Sequence, residues 1–116
     1  MQILIILNEA AYGNERSYNG LRLAMLLAKS EGVELRLFLM GDAVTVGKPG
    51  QKTPEGYYNL ERMLKGCTVK GVAIGTCGTC MDARGMADEL LVEGVHRSTM
   101  AELTTWTLWA DKVIVF

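Results

Sequence analysis

The sequence is poor in the residues that staple, stiffen or strongly charge a chain. It has three cysteines, two prolines and one histidine in 116 residues. Three thiols cannot all pair. With no secretion signal visible, the expectation is a cytoplasmic protein with reduced cysteines and no structural disulfide. Twelve Lys and Arg against thirteen Asp and Glu leave a net charge of −1. That balance lacks the one-signed surface that draws a protein to nucleic acid or an anionic membrane, so neither is an expected partner. No apolar run approaches the ~18 residues of a membrane span. Met1 to Ala10 is apolar but has no basic flank and is too short for a leader, so it reads as a first strand with nothing to be removed. Metal ligands are scarce too. Beside Cys77 and Cys80 only Cys67 and His96 remain as strong donors, a poor match to a four-ligand zinc site. No metal or cofactor is expected.

What is present is apolar. Hydrophobic residues make up 49% of the chain and charged ones 22%, which excludes disorder and low complexity. At ~150 residues per domain the length allows one domain, residues 1–116, with no room for a second. Ile3 to Leu7 is an unbroken apolar run, as in a strand covered on both faces. Asn8 to Asn19 reads as a loop. Leu21 to Ala28 is a dense run of helix formers that Gly32 ends. Val33 to Met40 is a second strand. Gly41 to Pro54 is irregular and holds both prolines. Thr53-Pro54 reads as an N-cap and first helical residue, with Tyr57, Leu60, Met63 and Leu64 at helical spacing and Gly66 and Gly71 punctuating the exit. Gly71 to Thr76 is a third strand. A helix is predicted from about Cys80 to Val92, stopped by Gly94. Val95 to Arg97 is a short fourth strand. Thr99-Met100-Ala101-Glu102 has the capping-box pattern, and Met100, Leu103 and Trp106 form one stripe of the last helix with Trp109 off its middle. Lys112 to Phe116 is the final strand.

Strands alternating with helices predict an α/β protein: a five-stranded, mainly parallel sheet between helical layers. The first and last helices are apolar on more than one side. In so small a domain that surface has two destinations, a subunit interface or complete cover within the chain.

Ligands of open parallel sheets bind outside the carboxyl ends of the strands. Here those ends lead into Asn8, Gly41, Cys77 and Ser98. Only the third carries concentrated chemistry, Cys77-Gly78-Thr79-Cys80-Met81-Asp82-Ala83-Arg84-Gly85. Free N–H groups at a strand-to-helix turn stabilise a thiolate. Arg84 adds positive charge and Asp82 opposes it, so the residue types leave the sign of the thiol shift open. Gly78 lets the backbone approach closely or take positive φ. The plain alternative is two small apolar residues packed under a turn. A thioredoxin-type dithiol competes, but neither proline falls at a strand start to face the motif. Cys67, at the end of a helix, reads as a buried structural thiol. His96 reads either as a proton donor at the sheet edge or as a partly buried polar residue. Asn8 and Glu9 end the first strand near the same edge, where a carboxylate serves as a base or, more simply, caps the loop.

These pieces resemble the DsrE/DsrF-like family in its small YchN-like branch. The resemblance runs through the opening strand with Asn8 and Ala11-Tyr12-Gly13, Leu21-Arg22-Leu23-Ala24, Leu35 to Met40, Asp42-Ala43-Val44, Gly50-Gln51-Lys52 and Glu55-Gly56-Tyr57. It continues through Cys77-x-x-Cys80-x-Asp82-x-Arg84-Gly85, Trp106-Thr107-Leu108 and Ala110-Asp111-Lys112-Val113. It implies a three-layer α/β/α fold assembled as trimers or hexamers. Relatives in sulfur oxidation and tRNA thiolation carry a persulfide on a cysteine placed before an Arg-Gly pair as Cys77 is placed before Arg84-Gly85. The carrier role therefore falls on Cys77, with sulfur donor and acceptor proteins as partners. Cys80 belongs to the YchN-like pattern and departs from many of those relatives. Three functions stand open at this point: sulfur carriage or transfer on Cys77, dithiol redox or thiol sensing by Cys77 and Cys80, and non-catalytic assembly. The site expected is Cys77, Cys80 and Arg84, with Asn8, Gly78, Asp82 and His96 as candidates to bind substrate or steady a thiolate.

Overall fold

The computed structural model describes residues 1–54 and 58–116. In chain order the elements are β1 (Gln2–Leu7), α1 (Arg16–Leu27), β2 (Glu34–Leu39), a 3₁₀ segment Gly41–Gly47, α2 (Leu60–Thr68), β3 (Ala73–Cys77), α3 (Gly78–Ala83), β4 (Val95–Ser98), α4 (Met100–Trp109) and β5 (Lys112–Val115). The five strands form one sheet in the order β4-β3-β2-β1-β5, every pair parallel. The fold is the α/β/α sandwich that the alternation of elements predicts.

Strand periodicity divides the core in two. Ile3, Ile5 and Leu7 of β1 and Leu35, Leu37 and Leu39 of β2 meet Leu21 and Ala24 of α1 and Leu60, Leu64 and Cys67 of α2. Leu4 and Phe38 turn to the opposite face, where Met81 of α3 and Leu103 and Trp106 of α4 cover them. Each fully buried Leu or Phe contributes about 1.5–3 kcal/mol. The chain steps from β1 through β4 in one direction, and α4 then returns across the second face to set β5 beside β1.

Three element boundaries differ from the sequence reading, each for a local reason. First, α1 starts at Arg16, inside the expected loop. The Asn14 side chain accepts the Arg16 N–H at 3.0 Å, and the buried Ser17 hydroxyl donates to the Glu9 carbonyl at 2.6 Å. Its first turn is polar because it packs by hydrogen bonds. Second, Thr53-Pro54 does not open a helix. The cap of α2 is Asn59, whose side chain accepts from Arg62 N–H at 3.0 Å. Tyr57 of the expected stripe lies outside the described residues. Gly66 is inside α2, where an added Cβ would stand 3.4 Å from Met25 Cε, so it marks the approach of α1 to α2. Third, the helix predicted for Cys80 to Val92 stops after Ala83. Gly85 takes φ +64°, and the N–H groups of Arg84 and Met86 both return to the Met81 carbonyl. Residues 84–94 are irregular, though Met86 and Val92 still reach the core.

Candidate functional site

The 3₁₀ segment, the first turn of α3 and the end of β4 gather at the carboxyl end of the sheet. Cys77 is the last residue of β3, opposite Ser98 of β4. Its side chain is 6% exposed and its sulfur lies 3.3 Å from the Thr79 hydroxyl. Burial pushes its thiol up. The Cys80 thiol, the Thr79 hydroxyl and the backbone N–H groups of Cys80 and Thr79 all act against that, and the Cys77 thiol ends below the ordinary range. Cys80 is moved the other way, by burial first and then by the neighbouring Cys77 sulfur. The Gly41 N–H, donating to its sulfur at 3.3 Å, and the charge of Arg84 offset only part of this. Met40 Sδ is 4.0 Å from Cys80 Sγ. The two thiols are thus unequal: Cys77 is the sulfur favoured to ionise, and Cys80 remains a donor beside it.

Cys77 opens into a crevice of about 180 Å³ lined by Gly78, Thr79, Arg97, Ser98, Thr99 and Met100. Wider, more open grooves of about 410 and 470 Å³, beside Thr68 and Gly94 and beside Tyr12 and Lys48, are lined by no thiol. Among the described residues no group of three His, Cys, Asp or Glu is arranged to hold a metal ion.

Around the thiols the charges are already committed. Arg84 donates from Nε and Nη2 to Asp42 Oδ1 at 3.0 and 2.6 Å, and from Nη1 to the Cys80 carbonyl at 3.0 Å. It ties α3 to the 3₁₀ segment, and its charge is felt by Cys80. Asp82 is bound through both oxygens to Arg97 at 2.8 Å, which holds its carboxyl below the usual range. The opposition to a thiolate expected of Asp82 is therefore compensated on the spot. Gly78 serves close approach and not positive φ. An added Cβ would come within 2.7–2.9 Å of three atoms of the Arg97 guanidinium.

The remaining candidates have other partners. His96 Nε2 is paired with Glu102 Oε1 and its ring stands edge-on to Trp106. Glu102 also accepts from the Ser98 hydroxyl at 2.6 Å, so its carboxylate fastens α4 to β4 instead of closing the expected capping box. Thr99 does cap α4, accepting the Glu102 N–H at 3.1 Å. The side chain of Asn8 donates to the Phe116 carbonyl at 3.3 Å. Glu9 meets Arg16 and Asn14 and acts within its loop. Cys67 is fully buried in α2, and desolvation pushes its thiol up to about 11.

Sequence reading missed three groups at the turn: the Thr79 hydroxyl, the Gly41 N–H and Arg97. The glycine directly after Cys77 was the available signal for Arg97, since a residue without Cβ beside a nucleophile leaves room for a neighbour.

Comparison with known proteins gives one consistent answer. The sequence pattern of the DsrE/DsrF-like family matches residues 1–116. Protein YchN of Escherichia coli strain K12 is 48% identical over 116 residues, covering 99% of this chain and 98% of its own. An uncharacterised protein of Methanopyrus kandleri is 41% identical over 114 residues, 98% of this chain and 93% of its own. The crystal structure of the Escherichia coli YchN protein superposes with a TM-score of 0.94, covering 99% of this chain and 98% of that one. A protein of unknown function from Methanobacterium thermoautotrophicum shares the fold, with a TM-score of 0.76 at 18% identity and coverage of 99% and 98%. With its whole length matched, and nearly half its residues shared with a relative of the same fold, the chain belongs to the DsrE/DsrF-like family.

Proposed function

We propose that this protein carries or transfers sulfur as a persulfide on Cys77. The observations behind the reading are the place of Cys77 at the strand-to-helix turn, its sulfur 3.3 Å from the Thr79 hydroxyl, and surroundings that hold its thiol below the ordinary range. Together they favour thiolate on a cysteine that opens into a crevice of small-molecule size. Family membership supports the same chemistry.

In loading, the Cys77 thiolate attacks the outer sulfur of a donor persulfide, R–S–SH. The new S–S bond gives Cys77–S–SH, the donor's S–S bond breaks, and the donor leaves as R–S⁻. The transfer is redox-neutral. In delivery an acceptor thiolate attacks the outer sulfur, takes it as its own persulfide, and returns Cys77 as thiolate. Cys80 offers a second exit. Its thiolate attacks the inner sulfur of Cys77–S–SH and expels hydrosulfide. The outer sulfur is thereby reduced and the two cysteines are oxidised to a disulfide, which an external thiol must reduce before the next cycle. The donor and acceptor are proteins presenting reactive cysteines in the cytoplasm, and the carrier works as a homo-oligomer, trimer or hexamer.

The second reading is a dithiol redox or thiol-sensing protein. The mutual influence of the two thiols favours it: Cys80 helps to lower Cys77, and Cys77 raises Cys80.

Intact-protein mass after exposure to a persulfide donor, without reductant, separates the two. Sulfur carriage predicts a gain of one sulfur atom in wild type and in Cys80→Ser, and none in Cys77→Ser, with Cys80→Ser altered only in release. Equal loading of the Cys77→Ser protein removes the assignment. A loss of two hydrogens in wild type that requires both Cys77 and Cys80, with no gain of sulfur even in Cys80→Ser, where the disulfide exit is closed, establishes the dithiol reading.

A further inference from the structure

We infer that Arg97 is a positioning residue for Cys77: seated on Gly78 and clamped by Asp82 and Asp88, it locks the cysteine-bearing turn against the end of β4. The inference rests on the reading of Cys77 as the working thiol. Arg97 itself touches no reacting atom in the steps above.

Three observations converge. Arg97 donates from Nη1 and Nη2 to the two oxygens of Asp82, both at 2.8 Å, and from Nη1 to Asp88 at 2.9 Å. A single guanidinium therefore joins β4 to α3 and to the irregular segment that follows it. The planar fork of arginine makes such bridging geometrically specific, which a lysine cannot reproduce. Next, the guanidinium occupies the space a side chain at residue 78 would need, with Nε, Cζ and Nη2 at 2.7, 2.8 and 2.9 Å from an added Cβ. Gly78 is not among the glycines with positive φ, so what its missing Cβ supplies is room for the Arg97 guanidinium. Finally, Arg97 lines the crevice into which Cys77 opens.

The consequence for the thiol has two parts. Without Arg97, Asp82 and Asp88 lose their counter-charge beside the Cys77 turn, and nearby negative charge disfavours a thiolate. The turn also loses its tie to β4, so the N–H groups of Thr79 and Cys80 are no longer held on the sulfur. The other charged or titratable groups around the site are Cys80, Arg84 and Asp42 and, on the β4–α4 side, the paired His96 and Glu102, whose carboxylate accepts from Ser98 of the crevice. Arg84 and Asp42 are paired with each other and keep that pairing in the variants below.

The test is the pH profile of iodoacetamide alkylation at Cys77. A Cys80→Ser background makes the label report on one sulfur, with folding checked by circular dichroism. Arg97→Gln is expected to move the profile to higher pH and slow alkylation at pH 7 by about tenfold. Arg97→Lys keeps the charge but not the fork and recovers part of that loss. Gly78→Ala, which displaces the guanidinium from the other side, gives a similar slowing. Since both act through one contact, the double variant Gly78→Ala/Arg97→Gln is no slower than the slower single. An unchanged profile in folded Arg97→Gln, or additive losses in the double variant, overturns the inference. Where Arg97→Gln does not fold, the Arg97→Lys and Gly78→Ala profiles decide in the same way. Persulfide loading is read separately by mass. A wild type that never loads sulfur removes the carrier reading and leaves the alkylation result standing on its own.

Discussion

Cys67 and Cys77 are both buried, yet their environments drive them in opposite directions. Cys67 sits among Leu and Ile side chains of the first core, and desolvation raises its thiol from 9.0 to about 11. Cys77 feels the same penalty, but four donors reverse it. Burial alone therefore does not identify the inert thiol; the donors around the sulfur do. The sign of the stability effect follows. Cys67 is held neutral in the fold, so its stabilisation is complete below pH 9, where the unfolded thiol is also neutral, and is lost as pH rises from 9 to about 11. The loss is on the order of 2 kcal/mol. Urea unfolding at pH 8 and pH 10.5 is expected to show it in wild type and to show a smaller loss in Cys67→Ala. A Cys67→Ala protein as alkali-sensitive as wild type would place the effect elsewhere. In the native protein at pH 8, iodoacetamide should leave Cys67 unlabelled while Cys77 reacts. At this scale the sequence makes the Cys77–Cys80 turn visible, because two thiols between a buried strand and a helix stand out. It hides Arg97, because a guanidinium seventeen or more residues from each thiol reaches the turn only once β4 is paired with β3.

Among the elements, strands were legible because their signals are local. Apolar runs such as Ile3–Leu7 and Val113–Phe116 need no tertiary context to be read as strands. Helix ends were legible only where the cap stood out, as Thr99 does before α4, because capping is decided by single side chains. The clearest case is the segment after Cys80. Its apolar residues Met86, Leu90, Leu91 and Val92 suggest one long helix, but Gly85 adopts φ +64° and turns the chain after Ala83. The two arrangements make opposite predictions for one substitution. Inside a continuous helix, Gly85→Ala would stabilise by roughly 1 kcal/mol, since glycine is the poorer helix former. At a left-handed position, alanine is strained, and the same change costs about 1 kcal/mol or more. We expect destabilisation, read as a lower urea midpoint at unchanged slope. A higher midpoint would mean that residues 80–92 prefer the continuous helix. The cost also bears on function: Met86 and Asp88 follow this turn, and Asp88 is one of the two carboxylates on Arg97.

At the scale of the whole molecule, the two faces of the sheet are covered unequally. The first has α1 and α2, twelve and nine residues long. The second has the ten-residue α4 and the six-residue α3. The shortfall is visible at the β5 edge. Val113 and Val115 pair with Leu4 and Ile6 in register and so share the second face, yet they are 42% and 60% exposed. On α4, Leu108 is 83% exposed and Met100 62%. Among the described residues β5 has only β1 as a neighbour, so its outer edge also presents backbone groups with no described strand beside them. Exposed valine and leucine next to an open strand edge form a surface that association would bury, which is the whole-molecule reason for proposing a homo-oligomer. Scattered exposed apolar residues are ordinary in monomers, so the proposal stands on their coincidence with the thinner layer and the open edge. Sedimentation velocity at micromolar concentration is expected to give a species of trimer mass or larger. Val115→Asp and Leu108→Asp put a charge where that surface would be desolvated, and each should shift the protein towards monomer while circular dichroism stays native. A wild type that sediments as a monomer would show that β5 and α4 tolerate their exposure. The sulfur transfer proposed for Cys77 would then have to operate within a single chain.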